Sequence, residues 1–191
     1  YSAARSIIDS HLFPVAVELV SPVLAAEFQS MAGSDSLLLV RFAGNGCAVK
    51  FQQEQALALF DSHCTSLDVL RDDDSLWQKV ASLDFKQRNG WRVSVLPASI
   101  PSFLESMSNL LGEGFNSLKW HLSVGDGRLR MFDEFNGKLD QLTENADYFG
   151  GQLTVACAKS SFQNRPATMD LAKRIKMNLD PNGTFPQASF R

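Results

Sequence analysis

Cysteine is scarce. The 191 residues hold three, Cys47, Cys64 and Cys157, widely spaced and odd in number, which excludes a disulfide framework and offers no metal-knuckle spacing. Long apolar runs are absent too: nothing approaches the roughly 20 residues a membrane helix needs, and no basic stretch followed by an apolar one opens the chain. Direct membrane insertion is therefore not expected, and a reducing, cytoplasmic compartment is. Basic charge is not in excess, since 18 Lys+Arg stand against 21 Asp+Glu for a formal charge of -3. No global field gathers the phosphates of nucleic acid or anionic lipid. A Walker loop, a dinucleotide fingerprint, a nucleophile elbow and a paired His-Glu motif are all missing, so kinases, dehydrogenases and hydrolases built on those devices are set aside. An initiator methionine is missing as well, and Tyr1 to Leu12 opens as a helix already under way, so a fragment of a longer protein is expected.

What is present suffices for a core, with 45% hydrophobic and 10% aromatic residues. Pro14 ends the first helical stretch, and Val15, Val17 and Leu19 then alternate with Ala16, Glu18 and Val20 as in a half-buried strand. The stretch after Pro22 is ambiguous. Leu37 to Phe42 is a short apolar run stopped by Gly44-Asn45-Gly46, and Cys47 to about Cys64 carries Val49, Ala56 and Phe60 at helical spacing. Arg71 to Ser75 reads as a solvated acidic loop capping a helical piece around Trp77, Val80 and Leu83. Trp91, Val93 and Val95 alternate as a strand ended by Pro97. Ile100, Phe103, Leu104, Met107, Leu110 and Leu111 form the stripe of a helix, with Ser102 and Glu105 at capping-box spacing. Leu118 to Val124 and Arg128 to Phe132 flank Gly125-Asp126-Gly127 and predict a hairpin. A helix with Leu139, Leu142 and Ala146 on one side, a strand from Leu153 to Cys157, and a helix from about Pro166 to Leu179 complete the chain. The expectation is one α+β domain over residues 1–191: a mostly antiparallel, ferredoxin-like sheet with helices packed on one face.

Alternation also assigns a second face. The residues between the buried ones are Arg92 and Ser94, then Lys119, His121 and Ser123, then Arg128 and Arg130, then Gln152 and Thr154. That face is cationic, and guanidinium groups on it suit a carboxylate through paired hydrogen bonds. For any one of these residues a merely solvated side chain is the commoner explanation. His121 is a candidate general base or hydrogen-bond donor to an anion. His11, His63 and the His63-Cys64 pair have no metal-ligand spacing, so no metal is predicted. Asn182-Gly183-Thr184 matches a glycosylation acceptor, but nothing indicates secretion.

The ending Leu171-Ala-Lys-Arg-Ile-Lys176-Met-Asn-Leu-Asp180-Pro181-Asn-Gly-Thr-Phe185 resembles the C-terminal signature of FAD-linked oxidases of the vanillyl-alcohol oxidase type, in which a helix ends in Lys-x-x-Leu-Asp-Pro. Phe13-Pro14-Val-Ala-Val-Glu-Leu19 is similar to the segment opening that family's cap domain. Val40-Arg41-Phe42-Ala-Gly44 with Ala48-Val49 resembles its next strand and helix, and Trp91-Arg92-Val-Ser94-Val a central strand. Gly150-Gly151-Gln-Leu-Thr154 adds a likeness to the flavin-binding subunit of bacterial glycolate oxidase. The resemblance implies a cap and substrate domain whose sheet lies over the ring of FAD, with most FAD contacts made by an N-terminal FAD-binding domain absent from this chain. It implies other glycolate oxidase subunits as partners, and through them a peripheral association with the membrane. Departures are clear: Ser123-Val-Gly125-Asp126-Gly127-Arg128-Leu-Arg130 replaces the two histidines of metal-dependent relatives, Gln152 replaces another histidine, and Pro186-Gln187-Ala188-Ser189 replaces the usual Asn-Pro-Gly tail.

On that resemblance the substrate is a small 2-hydroxy acid, with Arg92 and Arg130 on its carboxylate and His121, the catalytic candidate, at its hydroxyl. Asp180 and Asn182 approach the cofactor. The fragment alone is not expected to be active. The alternative is a non-catalytic assembly module of a multi-subunit complex with the same fold. A free-standing ferredoxin-like binding domain is a third reading, and its RNA-binding form lacks an aromatic-rich strand for bases to stack on.

Overall fold

The computed structural model describes residues 1–28, 35–61, 63–71, 74–86, 89–112, 114–132, 138–157 and 166–184. The strands are β1 (Ala16–Val20), β2 (Leu37–Arg41), β3 (Asn89–Ser94), β4 (Trp120–Ser123), β5 (Arg128–Met131) and β6 (Gln152–Cys157). The helices are α1 (Ser2–Ile8), α2 (Pro22–Phe28), α3 (Gly46–Phe60), α4 (Asp74–Lys86), α5 (Ile100–Leu111), α6 (Gly114–Ser117), α7 (Leu139–Tyr148) and α8 (Pro166–Leu179). The fold is α+β, as the patterning predicts.

The strands form a 6-stranded sheet in the order β2-β1-β4-β5-β3-β6, with every neighbouring pair antiparallel. Its second half runs β3-α5-β4-β5-α7-β6 in sequence and β4-β5-β3-β6 in space, which is the split βαβ arrangement of ferredoxin-like sheets. The β1 and β2 pair extends that unit along the free side of β4.

One sheet face carries Val17, Leu19, Trp91, Val93, Trp120, Leu122, Leu129 and Met131, all buried. Helices α1, α3, α5, α6 and α7 supply Ile7, Phe60, Phe103, Met107, Phe115, Leu142 and Ala146 to the same cluster. Burying such side chains is worth about 1.5–3 kcal/mol each. Phe115 stacks on Trp120 at 5.4 Å, and Phe103 meets Phe149 edge-on at 5.8 Å. A smaller cluster lies on the opposite face. Val20 of β1 and Leu39 of β2 meet Leu24 and Phe28 of α2, Val80 of α4, and Phe132. Among the described residues, helices therefore pack on one face, as expected, and also on the β2-β1 end of the other, where the expectation of helices on one face alone does not hold.

Local differences from the sequence reading have physical causes. The ambiguous stretch after Ser21 is helical because Pro22 takes the first helical position and the Ser21 hydroxyl accepts from Leu24 N at 3.3 Å. That hydroxyl also accepts from Trp120 N at 3.1 Å, tying α2 to β4. Ser102 is not a cap: a 3-10 turn at Pro97–Ser99 leads into Ile100, which places Ser102 inside α5. The first helix stops at Ile8 rather than reaching Leu12, and α3 stops at Phe60. Asp72, Asp73 and the tail from Phe185 onward lie outside the described residues.

The predicted hairpin joins β4 to β5. Gly127 N donates to Ser123 O at 3.0 Å, and its φ of 70° is the left-handed conformation that favours glycine. Asp126 sits in this turn. Its carboxylate accepts from Arg128 N at 3.2 Å and Arg128 Nε at 2.7 Å, and it also pairs with Arg128 Nη2. Partial burial works to raise the Asp126 carboxyl, but the hydrogen bonds and charge of Arg128, helped by Ser123, hold it below its ordinary value. A carboxylate depressed in the folded state contributes stability above its unfolded value, near 4, and that stability is lost as pH falls through the folded value. The stability gap between the native chain and Asp126→Asn should therefore be full at about pH 7 and smaller at about pH 3. Urea midpoints at both pH values check this, and a pH-independent gap contradicts it.

Candidate functional site

Partners across the β-ladders bring four of the sequence-selected residues into a line. His121 lies opposite Arg130, Arg130 opposite Arg92, and Arg92 opposite Thr154. Directly opposed residues of antiparallel strands share a face with Cα atoms about 5 Å apart. A parallel line of Ser123, Arg128, Ser94 and Gln152 runs one pleat away on the same face. This side of β3, β5 and β6 keeps surface exposure: Arg92, Arg128 and Gln152 are exposed, and Arg130, Ser94 and Thr154 half-buried, with Nε of Arg130 itself buried. Lys119, just before β4, reaches Glu27 of α2 at 2.5 Å and serves the flank.

His121 is the exception on this line. Its side chain is only 2% exposed, and Nε2 lies 2.6 Å from Oε2 of Glu18, itself 14% exposed. Glu18 reaches it diagonally, since the strand partner of Glu18 is Ser123 and that of His121 is Val20. Among the described residues Nδ1 of His121 is buried without a hydrogen-bond partner. Sequence reading did not single out Glu18. The signal was available, because alternation along Ala16–Val20 places Glu18 on the face opposite Val17 and Leu19. It is the one carboxylate that the six strands turn toward the cationic face, among the described residues.

Asp180 and Asn182 belong to a different element, the turn after α8. Asp180 is buried, and its Oδ1 accepts from Thr184 N at 2.6 Å and Thr184 Oγ1 at 2.8 Å. Lys176 Nζ stands 3.5 Å from its Oδ2. The carboxylate thus closes its own turn, a hydrogen-bonded loop of the kind aspartate favours. Asn182, at the tip, is exposed.

As a chemical device, the line carries two arginines at directly opposed ladder positions, donors only, flanked by the acceptor-capable His121 and Thr154. The chemistry of such a pair suits a planar anion such as a carboxylate. Among the described residues no group of three or more His, Cys, Asp or Glu side chains could hold a metal ion, and no helix is long and apolar enough to cross a membrane. No protein-family model matches the chain, and no curated protein matches it significantly.

Proposed function

We propose that the chain is the cap and substrate domain of an FAD-dependent oxidoreductase acting on a small 2-hydroxy acid of the glycolate type. Arg92 and Arg130 hold the substrate carboxylate, while FAD is bound mainly by a separate flavin-binding domain. The single observation that carries the reading is the pairing of Arg92 with Arg130 on the partly open face of the ferredoxin-like half of the sheet. Arg92 is exposed there and Arg130 half-buried, and charged side chains so placed on a strand face suit a ligand rather than a core. The motifs that resemble those of FAD-linked oxidases supply the substrate class.

The residues present fit a modest contribution to cofactor binding. Asp180 is engaged in shaping the turn after α8, so the group left to approach the cofactor is the exposed amide of Asn182. The flavin, when bound, supplies the two-electron acceptor for the hydride leaving the hydroxyl-bearing carbon. This chain's residues bind and orient the acid.

Replacing Arg92 with methionine in the full-length protein keeps the bulk of the stem and removes the fork. Charge-assisted hydrogen bonds contribute about 1.5–3 kcal/mol, so the KM should rise about 10- to 100-fold while FAD content, read from absorbance, is unchanged. An unaltered KM removes Arg92 from the site.

A second reading, a non-catalytic assembly module of a multi-subunit complex, draws on another observation. Leu171, Ile175 and Leu179 lie four apart along α8 and are about half or more exposed, Leu179 at 76%. A row at that spacing is one apolar stripe. Full-length protein that purifies without flavin colour yet retains its partner subunits favours this reading over catalysis.

A further inference from the structure

The pair of Glu18 and His121 carries an inference that rests on the substrate site proposed above and adds an atom-level role to it. A buried imidazole nitrogen with no partner loses its hydration and gains nothing in return, so it calls for an explanation. Here the other nitrogen is already taken: Nε2 stands 2.6 Å from the Glu18 carboxylate, which accepts only. The carboxylate therefore keeps the hydrogen on Nε2 and leaves Nδ1 as the ring's second position. Arg130, the strand partner of His121, offers donors only.

We propose that Glu18 is a positioning residue that fixes His121 with Nδ1 as an acceptor for the α-hydroxyl of an acid whose carboxylate sits on Arg130 and Arg92. Carboxylate and α-hydroxyl are held on adjacent carbons, and His121 and Arg130 are adjacent positions across the ladder, so one small ligand spans both. Because the ring is 2% exposed, contact requires the side chains over it to part as the ligand enters. The consequence is selectivity: a 2-hydroxy acid is held at both ends, whereas the same acid without the hydroxyl leaves Nδ1 unmet.

The test uses glycolate and acetate as probes with the full-length protein, 15N-labelled at its histidines. Glycolate should bind about tenfold more tightly than acetate, the worth of one hydrogen bond to an otherwise unsatisfied acceptor. The His121 resonances should show hydrogen on Nε2, and Nδ1 should shift with glycolate and not with acetate. In Glu18→Gln the tautomers should mix and the preference fall toward unity. If that variant does not fold, the native spectra decide alone. Hydrogen found on Nδ1 in the neutral ring, or an Nδ1 resonance equally indifferent to both acids, overturns the assignment. Equal binding of the two acids overturns it while leaving the carboxylate site standing; binding of neither overturns the substrate site as well.

Discussion

Gly127→Ala is expected to destabilise the chain by about 3 kcal/mol or more, enough to remove much of the stability of a typical domain. Two costs add. At φ 70° the backbone is in the left-handed region, where a Cβ costs about 1–3 kcal/mol. That Cβ would also overlap the Val95 carbonyl, a backbone group with no rotamer to retreat to. The turn cannot shift aside cheaply, because Gly127 N donates to Ser123 O and Gly127 O accepts from Val95 N, each at 3.0 Å. These bonds stitch the β4-β5 hairpin to the end of β3, so the damage falls where Arg92, Arg128 and Arg130 are aligned. Urea unfolding followed by circular dichroism checks the prediction. A loss below about 1 kcal/mol means that the turn relaxes and does not set the register of the arginine line.

How much of this was legible beforehand depended on whether the signal was local. The hairpin was readable because Gly-Asp-Gly between two alternating segments has few other solutions. The bounds of α8 were readable because Pro181 and Gly183 stop a helix plainly. Arg92 and Arg130 could be assigned to one face by counting alternate residues, but their opposition across the β3-β5 ladder depends on register, which counting within single strands does not supply. The same limit hid Glu18, whose contact with His121 spans 103 positions in sequence. Helix α2 was obscured differently. The seven-residue helix is too short for periodicity to declare itself against the neighbouring strand, and its cap at Ser21 was not recognised. The partial covering of the second face followed from no local pattern, since Val20 and Leu39 are buried by α2 and α4 only once the sheet has formed.

Phe103→Ala should produce a loss of comparable size by a different route. Phe103 is 1% exposed and lies in the cluster between α5 and the closed face of the sheet, edge-on to Phe149 beyond α7. Truncation removes the transfer free energy of the ring and leaves a cavity that cannot collapse, because Ile100 and Met107, one turn away on either side, are already fully buried. Phenylalanine-to-alanine changes at such sites cost about 3–5 kcal/mol, or about 10 °C in Tm for a chain of this size. Phe103→Leu, which refills most of the volume, should lose about 1.5 kcal/mol or less. The ordering of the two variants matters more than either value. Equal losses would point to the aromatic contact with Phe149, which is worth only about 0.5–1.5 kcal/mol beyond area burial, whereas a large gap between them identifies cavity formation. The two sheet faces also separate the effects. Phe103 packs opposite the face that bears Arg92, so Phe103→Leu should leave the KM of the full-length protein unchanged while lowering its Tm. Arg92→Met should do the reverse, raising the KM with little change in Tm, because an exposed arginine contributes little to the core. A Phe103→Leu protein with native stability but altered KM would mean that the helix-covered face and the cationic face are not mechanically separate.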